Sequence, residues 1–262
     1  MKQNILDKIV VHKKQVIKNS KKHIPEKKMR QEAEKRRDFR PLGQSLKNSA
    51  NRINIIAEIK RASPSAGSIA PDLDAAKQAV AYERGGAMAL SVLTDTRFFS
   101  GNLFDLTQAR LATALPVLRK DFIISEYQIY ESAAIGADAV LLITCILTLS
   151  KLKSLLRLAR KLGMDALVEV YTEEDMEKAC KTDAGIIGIN NRNLNTFETD
   201  VNHARKLTAR LSEGRIVVCA SGIRFKTDIT DNMKNGINNF LIGEALVRSE
   251  DPAAMLRHLT TI

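Results

Sequence analysis

Eight short apolar runs, each followed by a longer amphipathic stretch, limit most strongly what this chain can fold into. The runs cover 53–59, 88–93, 116–118, 139–143, 165–170, 185–189, 216–219 and 239–242. Helical spacing appears between them at 73–84, 103–114, 126–135, 149–162, 173–181, 202–211 and 229–235, and again at 252–259. The runs are near-continuous hydrophobics, which indicates a sheet covered on both faces. Strict alternation of strand and helix makes that sheet parallel. Eight such units over roughly 200 residues fit a closed (β/α)8 TIM barrel. An open doubly wound sheet is the alternative, and it usually carries a Gly-rich fingerprint after its first strand. Here Ser63-Pro64-Ser65 stands in that place, so the barrel is preferred.

A preface of about fifty residues precedes the first strand. Residues 5–17 have helical spacing, and Pro25 and Pro41 punctuate the stretch between them and the barrel. Residues 1–50 are read as a basic helical extension packing on the barrel, and 51–262 as the catalytic barrel. The net charge of +11 is concentrated in the extension. Residues 1–50 hold fifteen Lys or Arg against five Asp or Glu, whereas 51–262 hold twenty-six against twenty-five. A basic arm of this kind can contact nucleic acid, form a solvated helical face, or raise the local potential for an anionic substrate. It has Phe39 as its only aromatic residue and no nucleic-acid motif, so nucleic acid is not expected as a partner.

No apolar run reaches the roughly 18–20 residues of a membrane span, and the first residues lack a signal-peptide core. Cys145, Cys180 and Cys219 are odd in number, far apart and set among apolar neighbours. They read as small core residues in a reducing compartment, so a cytoplasmic protein is expected. His12, His23, His203 and His258 are scattered and read as surface or packing residues. No metal-ligand spacing and no nucleotide-binding glycine motif appears, so neither metal nor cofactor is expected.

A TIM barrel gathers its chemistry at the C-terminal ends of its strands. The run Ile56-Ala-Glu58-Ile-Lys60-Arg-Ala-Ser63-Pro-Ser65 ends the first strand with an acid and a base on one face, followed by a hydroxyl-rich turn. A surface ion pair is the plainer reading of Glu58 and Lys60 taken alone. The other strand ends add Ser91, Thr94 and Asp95; Lys120, Asp121 and Phe122; Glu169; Asn190, Asn191 and Arg192; Ser221 and Gly222; and Gly243 and Glu244. Two lysines and two glutamates meeting there perturb each other. A neighbouring cation lowers a lysine's basicity and a carboxylate raises it, and the sequence leaves that balance open. Arg192 suits a carboxylate or phosphate fork. The glycine turns after the seventh and eighth strands suit a phosphate.

Taken in order, these motifs resemble the indole-3-glycerol phosphate synthase family. The likeness runs through Ile5-Leu-Asp-Lys-Ile-Val, the Glu58–Ser65 run, Leu90-Ser-Val-Leu-Thr-Asp, Phe98-Phe-Ser-Gly and Leu118-Arg-Lys-Asp-Phe-Ile. It continues through Gly136-Ala-Asp-Ala-Val-Leu-Leu-Ile, Ala166-Leu-Val-Glu-Val, Ile187-Gly-Ile-Asn-Asn-Arg-Asn-Leu, Ala220-Ser-Gly-Ile and Phe240-Leu-Ile-Gly-Glu-Ala-Leu. The resemblance implies a barrel whose N-terminal helical segment covers the active rim. It also implies ring closure, decarboxylation and dehydration of 1-(2-carboxyphenylamino)-1-deoxyribulose 5-phosphate to indole-3-glycerol phosphate.

It further implies catalytic roles for Lys120, Glu169, Lys60, Glu58 and Asn190, with Lys120 as the general acid. Substrate contacts fall to Ser63, Ser65, Arg192, Ser221, Gly222, Gly243 and Glu244, with Phe99, Phe122 and Leu194 around the anthranilate ring. The expected partner is this small anionic substrate, with no nucleic acid or membrane, and the expected state is a monomer. One departure matters: Ala220 takes the place of the family's glutamate before Ser-Gly. Asn102 in place of a serine and the acidic Glu244 beside the phosphate turn are milder. The competing readings are another sugar-phosphate barrel, such as phosphoribosylanthranilate isomerase, and a non-catalytic anion-binding barrel. The isomerase chemistry wants a Cys/Asp pair at the first and fifth strands, and neither residue stands at those strand ends here.

Overall fold

The computed structural model describes residues 4–47, 52–194, 196–211 and 214–261. The expected boundary at 50–51 lies outside the described residues. Eight parallel strands close into a barrel: β1 (Asn54–Ile59), β2 (Ala89–Leu93), β3 (Val117–Lys120), β4 (Ala139–Ile143), β5 (Asp165–Val170), β6 (Ile186–Asn190), β7 (Ile216–Ala220) and β8 (Asn239–Ile242). Closure comes from β1, which pairs with both β2 and β8. The (β/α)8 fold is therefore the one expected.

Strand parity divides the core in two. Ile56, Leu118, Leu141, Leu167, Val218 and Leu241 fill the barrel interior. Their alternating neighbours Ile55, Val117, Val140, Val168, Cys219 and Phe240 pack outward under the helices. Both faces are covered, which is why each strand reads as a continuous apolar run. The same parity brings Glu58, Lys120, Glu169 and Asn190 inward at the strand ends.

Several expected boundaries shift. The third strand was expected to stop at 118, yet β3 continues through Arg119 and Lys120, because they pair with Val92 and Leu93. Register with a neighbouring strand overrides the low strand preference of a charged side chain. Beyond β1, Ala62–Ser63 and Gly67–Ser68 form a small antiparallel hairpin where only a turn was expected.

The preface forms α1 (Ile5–His23), α2 (Glu26–Lys35) and α3 (Leu42–Lys47). Asn4 caps α1 by accepting from Leu6 N at 2.6 Å. The helix runs past the expected residue 17, and Lys21, Lys22 and His23 stand in its last turn, where cations suit the dipole. Leu6 and Ile9 join the interior cluster together with Phe99 and Phe122, so α1 lies across the C-terminal rim.

At the opposite end, Leu42 and Leu46 of α3 close the barrel floor against Ile186 and Val218. Gly43 N donates to Asp165 Oδ2 at 2.8 Å there. The extension therefore clasps both mouths of the barrel, where only the rim was expected. Its basic residues are partly spent on this clasp. Arg36 meets Asp138 at 2.5 Å, and Arg40 donates to the carbonyls of Thr113 and Leu115, each at 2.8 Å.

The outer layer comprises α4 (Ala75–Arg84), α5 (Thr96–Phe99), α6 (Leu103–Ala112), α7 (Glu126–Ala134), α8 (Leu149–Lys161), α9 (Glu173–Cys180), α10 (His203–Thr208), α11 (Lys226–Met233), α12 (Glu244–Val247) and α13 (Pro252–Thr260). The α11 helix starts earlier than expected, because Asp228 Oδ2 accepts from Arg224 N and Phe225 N and fixes the first turn. Cys219 is buried, but Cys145 is exposed in the turn after β4, contrary to the core position expected of it. No helix among the described residues is long and apolar enough to cross a membrane.

Candidate active site

The strand ends enclose a cavity with about 1030 Å³ of empty space, its open mouth included. Its walls bring together Glu58 from β1 and Lys60 just past it, Lys120 from β3 and Phe122 just past it, Glu169 from β5, and Asn190, Arg192 and Leu194 from β6 and the loop after it. Ser63 and Ser65 enter from the hairpin, Phe99 from α5, Ser221 and Gly222 from the β7 turn, and Gly243 and Glu244 from the β8 turn. The interior leucines seat these groups on rigid strands.

Two acid–base pairs face each other there. Lys60 Nζ lies 2.9 Å from Glu58 Oε1, and Lys120 Nζ lies 3.4 Å from Glu169 Oε2. Asn190 Nδ2 donates to the other oxygen of Glu169 at 3.2 Å. Asn190 Oδ1 in turn accepts from Arg192 N at 3.0 Å. The Arg192 guanidinium donates to Ser65 Oγ at 2.6 Å and so ties the hairpin to the β6 loop. Phe99 and Phe122 face each other with ring centroids 6.0 Å apart.

The balance that the sequence left open is now decided for two of these groups. Burial works against a charged Lys120, but Glu169 and Glu58 outweigh it and hold its pKa above the ordinary lysine value. Burial likewise opposes the Glu58 carboxylate. Lys60, Lys120 and Arg192 reverse that and hold its pKa below the ordinary value. At neutral pH Lys120 is therefore held as an ammonium and Glu58 as a carboxylate.

The β7 and β8 turns differ in construction. Ser221 and Gly222 both take positive φ, at 69° and 80°, which turns the chain sharply out of β7. Serine adopts that region rarely, so the turn is held by its surroundings. Asn191 Nδ2 donates to Ser221 O at 3.1 Å and supplies part of that hold. Gly243 is needed for closeness, because a Cβ there would run into the Glu58 carboxylate. Glu244 turns aside to Arg248, whose Nε donates to its Oε1 at 3.1 Å.

The cavity also includes residues outside the expected set. Leu93, Leu141, Ile143 and Leu241 line it, and counting inward positions along each strand would have found them. Phe197, at φ 62°, and Arg224 arrive from loops with no local signal. Asp95 and Asp121 also sit in a second ion cluster. Lys13 of α1 lies 2.8 Å from Asp95 and 2.6 Å from Asp121, and Arg119 reaches Asp121 at 3.1 Å and Glu131 at 2.8 Å.

A barrel with paired acids and lysines on its C-terminal rim belongs to the class of (β/α)8 enzymes. A family profile described as indole-3-glycerol phosphate synthase matches residues 6–259. Curated proteins of that name match along nearly their full length. The one from Desulfosudis oleivorans is 49% identical over 260 residues, covering 98% of this chain and 99% of its own. The one from Syntrophobacter fumaroxidans is 46% identical over 257 residues, covering 98% and 97%.

This chain belongs to the indole-3-glycerol phosphate synthase family. It is accordingly a carbon–carbon lyase that forms indole-3-glycerol phosphate in tryptophan biosynthesis, acting on a small-molecule phosphate substrate. Among solved structures, thiamine phosphate pyrophosphorylase from Pyrococcus furiosus has a TM-score of 0.57 at 17% identity, covering 80% of this chain and 95% of its own. At that identity the likeness speaks for the barrel alone.

Proposed function

We propose that Lys120 is the general acid for ring closure. The observation that carries this reading is its protonated ammonium, held between Glu169 and Glu58 at the cavity wall. In the carboxyphenylamino-deoxyribulose phosphate substrate, Lys120 donates its proton to the ribulose carbonyl oxygen. The carbonyl carbon is then open to attack by the aromatic carbon that bears the carboxylate. Carbon dioxide leaves, and its bonding electrons return to the ring. The new hydroxyl departs as water on taking a second proton, while a carboxylate of the site accepts the proton released as the indole forms.

Glu169, Glu58 and Lys60 share these later transfers and hold Lys120 in place; coupled groups of this kind titrate as a set. Asn190 supports the reacting hydroxyl, and Arg192 and Lys60 meet the anionic groups of the substrate. Ser63 and Ser65 support that contact from the hairpin. Ser221, Gly222, Gly243 and the backbone at Glu244 take the phosphate, and Phe99, Phe122 and Leu194 flank the anthranilate ring. Residues 1–50 act as the extension and 51–262 as the catalytic barrel. The enzyme works as a cytoplasmic monomer, and its three unpaired thiols suit a reducing compartment. The test is to supply the substrate and follow indole fluorescence. Product formation absent from a Lys120→Met control supports the reading, and equal signals from both proteins overturn it.

A further inference from the structure

Lys13 carries a consequence for the site it does not touch. The buried stripe of α1 is Leu6, Ile9, Lys13 and Ile17. A lysine in an apolar stripe, 5% exposed, pays a desolvation cost that an apolar residue would avoid. Its ammonium lies between Asp95 Oδ2 and Asp121 Oδ1, at 2.8 and 2.6 Å. Each carboxylate is also fixed to backbone. Asp95 Oδ1 accepts from Phe98 N at 2.6 Å and so caps α5, which carries Phe99 into the cavity. Asp121 Oδ1 accepts from Phe122 N at 2.7 Å, and Asp121 directly follows Lys120. One ammonium thus joins the segment bearing Phe99 to the segment bearing Lys120 and Phe122.

We infer that Lys13 is a positioning residue for the reaction. It locks the α5 turn to the end of β3, so that the aromatic walls and the Lys120 ammonium keep their spacing around the substrate. This rests on the function proposed above. Stability alone is a poor account of such a group, since buried ion triads can often be replaced by apolar side chains without loss. Placement, by contrast, matters steeply: a displacement of about 1 Å can cost about 100-fold in rate.

The test compares wild type, Lys13→Met, Lys13→Gln and Asp95→Asn, each confirmed folded by near-UV circular dichroism and assayed well below its melting temperature. Lys13→Met is expected to lower kcat about tenfold or more and to raise KM several-fold. Asp95→Asn leaves Lys13 on Asp121. It is expected to raise KM several-fold and to keep kcat within about twofold. Lys13→Gln, shorter and uncharged, falls between wild type and Lys13→Met. Folded variants with wild-type kcat and KM, differing only in melting temperature, would make Lys13 a simple brace and overturn the inference. If Lys13→Met does not fold, Lys13→Gln and Asp95→Asn decide the matter by the same readouts. A wild-type protein that makes no indole product overturns the functional reading, and this inference with it.

Discussion

Lys120 and Asp121 are neighbours in the chain, yet they belong to ion clusters of opposite character. Lys120 turns inward and meets Glu169 across 3.4 Å, beside the Lys60–Glu58 pair. Asp121 turns to the other side and is held by Lys13 at 2.6 Å, Thr94 at 2.7 Å and Arg119 at 3.1 Å. Lys120 is the last residue of β3 and points inward by strand parity, and the chain bends away at Asp121. In the Asp121 cluster the carboxylate is saturated with donors, and it fixes the chain beside Lys120. An ammonium has three protons to donate, and among the described residues Lys120 makes one long hydrogen bond, so it keeps capacity for a ligand. Similar residue types do different work according to how completely their valences are filled.

Activity should fall furthest at Lys120. Replacing it with methionine should lower kcat by about a thousandfold or more, because the proton donor is gone, while thermal melting shifts little. A variant that retains a tenth of the wild-type kcat would remove Lys120 from the chemistry. Glu169→Gln should follow with a loss of about 100-fold in kcat, since the amide can neither accept a proton nor hold the ammonium charged. Unchanged steady-state kinetics would confine Glu169 to a structural part.

The outer cluster should answer in stability as well as in the placement of Lys120. Asp121→Asn is expected to cost about 3–5 kcal/mol in urea unfolding, the usual effect of breaking a buried pair from one side. A loss below about 1 kcal/mol, the range of exposed pairs, would show that the cluster is well solvated.

Acid should reach the same group. Burial raises the Asp121 pKa, but Lys13 and Arg119 outweigh it and bring it down to about 2. A lowered carboxyl pKa gives stability that is complete above its unfolded value near 4. That stability is lost as pH falls through about 2. The slope of melting temperature against pH between about 4 and 2 should therefore flatten in Asp121→Asn. Lys120 has the opposite sense. Its raised pKa makes its contribution complete below the ordinary lysine value and lost above it, in strong alkali. Identical acid slopes in wild type and Asp121→Asn would place the titrating group elsewhere.

The inward cluster was the more legible of the two in the sequence. Each of its members ends an apolar run, and the barrel brings strand ends to one rim whatever their separation in the chain. The outer cluster was hidden for a physical reason. Lys13 stands in a Lys-Lys pair on a basic helix and reads as solvated. Its one signal was position, four residues from both Ile9 and Ile17 on the buried face. Its partners come from β-strand ends that the sequence placed on the rim, with nothing local to say they turn toward α1. The floor contact of α3 was equally hidden. Six residues with two leucines give no hint of which mouth they close, and Asp165 and Asn54, which bond to this helix, start strands on opposite sides of the barrel and reach it together only when the barrel shuts.

The smallest expected effect sharpens the inward cluster. Ala220 faces inward on β7, paired beside Asn190, and contributes a methyl group where the family resemblance leads one to expect a carboxylate. The two lysines therefore meet Glu58 and Glu169 here without a further acid from β7. Lys60 already has Glu58 as an ion-pair partner at 2.9 Å. Ala220→Glu adds a negative charge that steadies the lysines and repels an anionic substrate. These influences oppose each other, and kcat/KM should stay within about threefold of wild type. Steady-state kinetics at two ionic strengths separates them, because salt screens the repulsion from a solvent-accessible charge more than it weakens a contact pair. A tenfold or greater loss at both salts would mean that Leu241 and its neighbours have closed around the methyl group, so that this inward wall is packed as tightly as the outer brace.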